Sequence, residues 1–287
     1  MESKGLTGRS WPAPAKLNLF LHIVGRRPDG YHLLQTAFQF IDICDFIDFT
    51  IRPDGKLSLG TSYSGINPDD DLVLRSARLL QQETGCVSGA DINVTKRIPM
   101  GGGLGGGSSD AATTLVALNQ YWSLGLTTAQ LAELGIGLGA DVPVFVYGHA
   151  AWAEGIGEKL SPIEPEESWY LVIYPGCHVP TVDVFNAGDL TRNTPAITIR
   201  DFLESGGHND CEAVVRHLFP AVAEALDWLQ QYADARMTGS GSSVFASFAS
   251  GSEAAAVFDI LPPVWQGFVA RGLNHSPLLE RLGLESK

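Results

Sequence analysis

Between Pro99 and Thr113 the chain reads PMGGGLGGGSSDAAT, and six of the seven residues from Gly101 to Gly107 are glycine. Such a run either joins two finished domains loosely or lets a ligand lie against bare backbone. Its flanks decide between the two. Upstream, ADINVTKRI alternates and predicts a strand ending near Ile98. Downstream, Ala111, Leu115, Leu118 and Trp122 recur at helical spacing, with Ser108 or Ser109 as the expected N-cap and Asp110 as an acid in the first turn. Glycine leading a strand into the positive end of a helix suits a phosphate group. Unpaired N–H groups there favour an anion, and glycine allows positive φ and close approach. No lysine follows Gly107, so this is not the lysine-bearing P-loop. Gly101, Gly103 and Gly106 satisfy G-x-G-x-x-G, but so glycine-rich a run does so almost automatically. The acid expected about twenty residues on is also missing, which disfavours a dinucleotide fold.

The elements that must hold this loop come from a chain of 287 residues, 45% hydrophobic, enough for a substantial core and long enough for two domains. A net charge of −13 opposes a general nucleic-acid or anionic-membrane surface. A phosphorylated ligand therefore needs local cations, and Lys16, Arg26, Arg27, Lys96 and Arg97 supply them. Cys44, Cys86, Cys177 and Cys211 are scattered without metal spacing, and no apolar run reaches the roughly eighteen residues of a spanning helix. Reduced thiols in a soluble, cytoplasmic protein are expected.

Along the chain, KLNLFLHIV and LLQTAFQFIDICDFIDFTI read as strands, with GRRPDGYH as the turn between them. DDDLVLRSARLLQQETG reads as an amphipathic helix offering Leu72, Ala77, Leu79 and Leu80 to the core, with Gly85 past its end. A further helix is expected from Thr128 to Leu138, then a buried strand from Val142 to Tyr147, with Asp141 at their junction. The stretch from Pro162 to Ser168 is the expected boundary, giving domains 1–163 and 164–287. Beyond it come the strand WYLVIYPG, helices in IRDFLES and from Asn209 to Tyr232, and then strand, helix and strand in the last part, with TGSG as a second small-residue turn. Strands and helices mix without a βαβ period, so the fold class is α+β.

Taken together, PAKLNLFLHIVGRRPDGYH, PMGGGLGGGSSDAA, GADVPVF and TGSGSSVF resemble the GHMP small-molecule kinase superfamily over almost the whole chain. The resemblance implies a two-domain α+β architecture with an N-terminal ATP-binding domain and a C-terminal α/β-plait domain. It also implies transfer of the ATP γ-phosphoryl group to an alcohol. The first and third stretches are specific to a member of the superfamily whose alcohol carries a cytidyl group and serves isoprenoid precursor synthesis.

The superfamily's catalytic lysine and aspartate then fall on Lys16 and Asp141. The aspartate suits a base for the hydroxyl proton. The ammonium either holds that carboxylate ionised and oriented or stabilises the moving phosphoryl group. ATP is expected against Pro99, Met100, Gly101, Gly102, Gly103, Leu104, Gly105, Gly106 and Gly107, with Lys96 beside the phosphates and Ser108 or Ser109 near Mg2+. No dedicated metal cage is visible, so Mg2+ is expected on the nucleotide phosphates. The superfamily member's cytosine-contacting residues fall on Tyr31, His32 and Phe185, where two aromatic faces can sandwich a base and His32 can read its edge, with Asn18 and Thr181 lining the substrate site. Asp71 stands where the family commonly has asparagine at the adenine side, and a carboxylate cannot donate as an amide does. Read bare, Tyr31 is an ordinary turn aromatic, Phe185 a core residue, Asp141 a helix-exit residue and Lys16 a surface cation. A kinase for another alcohol, such as homoserine or a mevalonate derivative, and a nucleotide-binding protein without catalysis are the alternatives. A monomer or weak homodimer is expected.

Overall fold

The computed structural model describes residues 10–60 and 70–283. In KLNLFLHIV one face carries Leu17, Leu19, Leu21 and Ile23 and the other Lys16, Asn18, Phe20 and His22, and all of these are buried, so the strand β1 (Trp11–Arg26) is covered on both sides. A tight turn closed by Arg27 N–H to the Tyr31 carbonyl (2.7 Å), with Gly30 at φ +93°, returns the chain as β2 (His32–Arg52). β2 pairs with β1 along one edge.

The chain continues through β3 (Leu57–Leu59), α1 (Leu72–Thr84), β4 (Gly89–Thr95), α2 (Gly106–Tyr121), α3 (Thr128–Ile136), α4 (Val142–Tyr147), β5 (Ala151–Gly155) and β6 (Lys159–Pro162). The other edge of β2 takes β5 at its start and β4 at its end. The helices α1, α2 and α4 pack together, α2 also against β1, over a core that includes Leu80, Leu115 and Phe145.

The remaining elements are β7 (Trp169–Tyr174), α5 (Thr181–Asn186), α6 (Ile199–Ser205), α7 (Glu212–Leu218), α8 (Pro220–Leu229), β8 (Ala235–Met237), β9 (Val244–Phe248), α9 (Gly251–Phe258), β10 (Gln266–Leu273) and α10 (Pro277–Leu282). β10 runs beside β7, then reaches Phe40 and Ile41 of β2, so the antiparallel set β10-β7-β9-β8 continues the first sheet. A second core around Leu171, Val215 and Leu226 lies on this half, whereas Leu278 of α10 joins the first core.

Three local expectations are corrected. Val142–Tyr147 is a helix, not a strand. Its residues Val142 to Val146 are all buried, so no polar face marks the period and a short apolar run is ambiguous. Pro143 in its first turn and Gly148 in a left-handed C-cap are the helical signals. The helix α2 starts at Gly106 with Gly105 as its N-cap, earlier than either serine, and Asp110 lies beyond its first turn. Gly105 sits at φ +74°, and a Cβ there would lie 2.8 Å from the Phe145 ring, so only glycine fits that cap. The expected helix from Asn209 to Tyr232 is two helices, because Pro220 has no N–H to continue the first and instead opens α8.

Candidate active site

A cleft of about 1180 Å³ runs between the two halves and is floored by β1, β2 and the glycine loop. At its centre Lys16, on β1 and almost fully buried, places Nζ 3.3 Å from Oδ2 of Asp141, whose side chain is one-third exposed. The same ammonium donates to the Asn18 side-chain oxygen and, at 3.1 Å, to the Gly103 carbonyl. Asn18 is aimed in turn by its Nδ2 donating to Thr36 Oγ1 at 2.9 Å. The backbone N–H of Lys16 also donates to the Leu104 carbonyl at 3.0 Å. One buried lysine thus locates both the acid and the glycine loop.

The loop is held by the protein on several sides. Gly101, Gly103 and Gly105 all have positive φ. A Cβ on Gly103 would lie 2.6 Å from the Thr238 carbonyl oxygen and 2.8 Å from that of Gly241. Ser243 N–H donates to the Gly102 carbonyl at 3.0 Å. The TGSG turn is therefore the loop's outer wall. The N-cap Gly105 gives α2 no side-chain cap, so the first N–H groups of a 16-residue helix open toward the cleft. Gly107 is exposed there with ordinary φ, and a Cβ on it would meet only Leu72 at 3.5 Å.

This geometry separates two glycine substitutions. Gly107→Leu should leave thermal unfolding near that of the parent and weaken ATP binding by about tenfold or more, measured by titration calorimetry. Gly103→Val should lower the melting temperature outright, because it drives a branched side chain into backbone at positive φ.

Lys96, expected beside the phosphates, lines the cleft next to Gly106. Its ammonium is bonded to the Asp45 carboxylate and, at 2.7 Å, to Asp110. Burial alone would push the Lys96 pKa down, but the Asp110 and Asp45 carboxylates outweigh it and hold it above its usual value. Burial likewise lifts the Asp110 carboxyl well above the ordinary range, against the pull of Lys96. Asp45 also accepts from the N–H groups of Arg97 (2.5 Å) and Ile98 (2.9 Å), which fixes the approach to the loop. The sequence reading missed Asp45, since its partners lie some fifty residues on and it sits in a plain strand alternation.

Ser108 lines the cleft, whereas Ser109 is fully buried and outside its lining. Asp71 lines the cleft and caps α1, its Oδ1 accepting from Val73 N–H (2.8 Å) and Leu74 N–H (3.4 Å). Capping needs only an acceptor, so aspartate serves there as well as asparagine.

At the far end of the cleft Tyr31 stands largely exposed, and the His32 and Phe185 rings lie 5.1 Å apart. Burial first, then the guanidinium groups of Arg192 and Arg26, hold the His32 imidazole below its ordinary pKa. Thr181 shares a hydrogen bond of 2.8 Å with Ser240. Asn209, not singled out from the sequence, donates from Nδ2 to the Met237 and Gly239 carbonyls, each at 2.8 Å, and so clamps the TGSG turn. No helix among the described residues is long and apolar enough to cross a membrane.

Residues 71–149 match the GHMP kinases N terminal domain and residues 191–265 the GHMP kinases C terminal domain. The 4-diphosphocytidyl-2-C-methyl-D-erythritol kinase of Nitrosococcus oceani is 58% identical over 272 residues, 95% of this chain and 97% of that protein. Its counterpart from Alkalilimnicola ehrlichii is 58% identical over 274 residues, 96% of this chain and 94% of that protein. A crystal structure of 4-(cytidine 5'-diphospho)-2C-methyl-D-erythritol kinase superposes with a TM-score of 0.81 at 32% identity, covering 92% of this chain and 98% of that one. The Methanococcus jannaschii mevalonate kinase shares the fold at a TM-score of 0.68 and 16% identity, over 94% of this chain and all of that one. The chain therefore belongs to the GHMP kinases, ATP-dependent enzymes, and within them to the 4-diphosphocytidyl-2-C-methyl-D-erythritol kinase family.

Proposed function

We propose that this enzyme transfers the γ-phosphoryl group of ATP to the 2-hydroxyl of 4-diphosphocytidyl-2-C-methyl-D-erythritol, in the non-mevalonate route to isoprenoid precursors. The observation that carries this is one cleft holding, in order, an uncapped helix start, the Lys16–Asp141 pair, and an aromatic end formed by Tyr31, His32 and Phe185. ATP phosphates suit the helix start. Asp141 takes the hydroxyl proton as the alcohol oxygen attacks phosphorus, while Lys16 orients that carboxylate and ties it to the loop.

Mg2+, which neutralises phosphate charge in such transfers, fits the oxygen donors present. The Ser108 hydroxyl lines the cleft, and the buried Asp110 has an Oδ1 with no hydrogen-bond partner. These two residues would hold it, alongside the phosphates. All four cysteines are free, which suits a reducing cytoplasm, and the acidic charge keeps nucleic acid away from an enzyme acting as a monomer or weak homodimer. The two working halves divide near residues 163 and 164.

The deciding experiment offers the enzyme the cytidyl diphosphate substrate, nucleotide-free methylerythritol, homoserine and mevalonate, and measures ADP release. Turnover of the cytidyl form alone is expected; equal use of nucleotide-free methylerythritol overturns the reading. Base–aromatic stacks are worth about 1–3 kcal/mol each, so Phe185→Ala and Tyr31→Ala should each raise KM for the cytidyl substrate roughly ten- to a hundredfold with kcat near that of the parent. Steady-state kinetics at saturating ATP check this.

A further inference from the structure

Two aromatic stacks give a base affinity but no choice of base, because every base has a π-face. Choice requires a directed donor or acceptor at the edge, and at this end of the cleft the His32 ring offers both. Its Nε2 is engaged by Arg192, a residue outside the cleft lining whose Nε lies 3.1 Å away. A guanidinium has donors and no acceptor and stays protonated. The Nε2 that meets it must therefore present a lone pair, which leaves the proton of the neutral ring on Nδ1.

The rest of the same guanidinium is spent on the end of the helix that carries Phe185 and on the loop after it. Nη2 donates to the Ala187 carbonyl at 2.6 Å and the Phe185 carbonyl at 3.1 Å, and Nη1 to the Leu190 carbonyl at 2.9 Å. Ala187 is the C-cap of α5, so Arg192 satisfies carbonyls at the negative end of that helix. A lysine presents a point charge and cannot reproduce this fork.

We propose that Arg192 is a positioning and specificity-determining residue: it holds His32 in the tautomer protonated at Nδ1 and locks that ring to the Phe185 helix, which favours cytosine over uracil. This rests on the cytidyl reading of the cleft. An N–H donor pairs with the bare N3 of cytosine and meets an N–H on the N3 of uracil, which leaves both donors unpaired.

The first test uses the full chain without substrate, labelled with 15N-histidine. His32 should show a pyridine-type Nε2 and a pyrrole-type Nδ1 by NMR; the reverse assignment overturns the proposal. The second test compares cytidyl and uridyl substrates on the parent, Arg192→Met and Arg192→Lys. Loss of an edge contact and of the helix tie should raise the cytidyl KM roughly tenfold or more in Arg192→Met and lower the cytidyl-over-uridyl ratio by a similar factor, with the KM for ATP unchanged. Arg192→Lys, which keeps the charge, should not restore the ratio, whereas Phe185→Ala should weaken both substrates and keep it. An unchanged ratio in a folded Arg192→Met overturns the proposal. A parent indifferent to the nucleotide, with His32 still protonated at Nδ1, overturns the cytidyl reading and the selective role of Arg192 with it.

Discussion

Replacing Asp141 by asparagine is expected to lower kcat by roughly 10²–10⁴ while the KM for ATP stays close to that of the parent, because under the proposed mechanism the change removes the base and little else. The amide has the size of the carboxylate but cannot accept the hydroxyl proton. Asp141 is one-third exposed and carries no cap for α4, so its replacement removes no helix-end bond. Lys16 keeps its bonds to Asn18 and to the Gly103 carbonyl, which hold the glycine loop where it is. Thermal unfolding should therefore move little. Steady-state kinetics with ATP varied at saturating alcohol, and with the alcohol varied at saturating ATP, separate the two constants. Activity within a few-fold of the parent removes Asp141 from the base role.

The parts of this site that were legible in the sequence are those whose cause is local. The glycine run between a strand and a helix, α1 with Gly85 at its left-handed end, and the TGSG turn each carry their own signal in neighbouring residues. The parts that were not legible depend on partners brought in by the fold. Gly103 reads as a place for phosphate, yet the atoms nearest its missing Cβ are carbonyls of the TGSG turn, far along the chain. Lys96 reads as a free cation beside the loop, yet Asp45 from β2 and Asp110 from α2 already match its charge. Val142–Tyr147 reads as a strand because total burial erases the periodicity that distinguishes the two structures. The family likeness supplied Asp141 and Lys16; their mutual distance came only from the fold, which brings β1 to the start of α4.

Replacing Lys16 by methionine is expected to damage more than the chemical step, and the difference from Asp141→Asn tests what the lysine does. Methionine matches the length of the stem and the burial of the site, so the apolar contacts of the stem are largely kept, whereas the cation–π contact of Nζ with the Phe38 ring, 5.3 Å away, is lost. What disappears is the ammonium and its three partners. The Asn18 oxygen and the Gly103 carbonyl lose a charged donor at a buried position, a loss of about 1–3 kcal/mol that appears as a lower melting temperature. The loop is released on the side facing the cleft, so the KM for ATP should rise, which Asp141→Asn does not cause. Asp141 loses its orienting partner, so kcat should also fall by roughly 10²–10⁴. Because the carboxylate depends on the ammonium for its aim, the two changes act on one unit. The double variant should lose clearly less kcat than the product of the single losses. Fully multiplicative losses would mean that Lys16 acts on the phosphoryl group independently of Asp141, and an unaltered KM for ATP in Lys16→Met would mean that its bond to Gly103 does not set the loop.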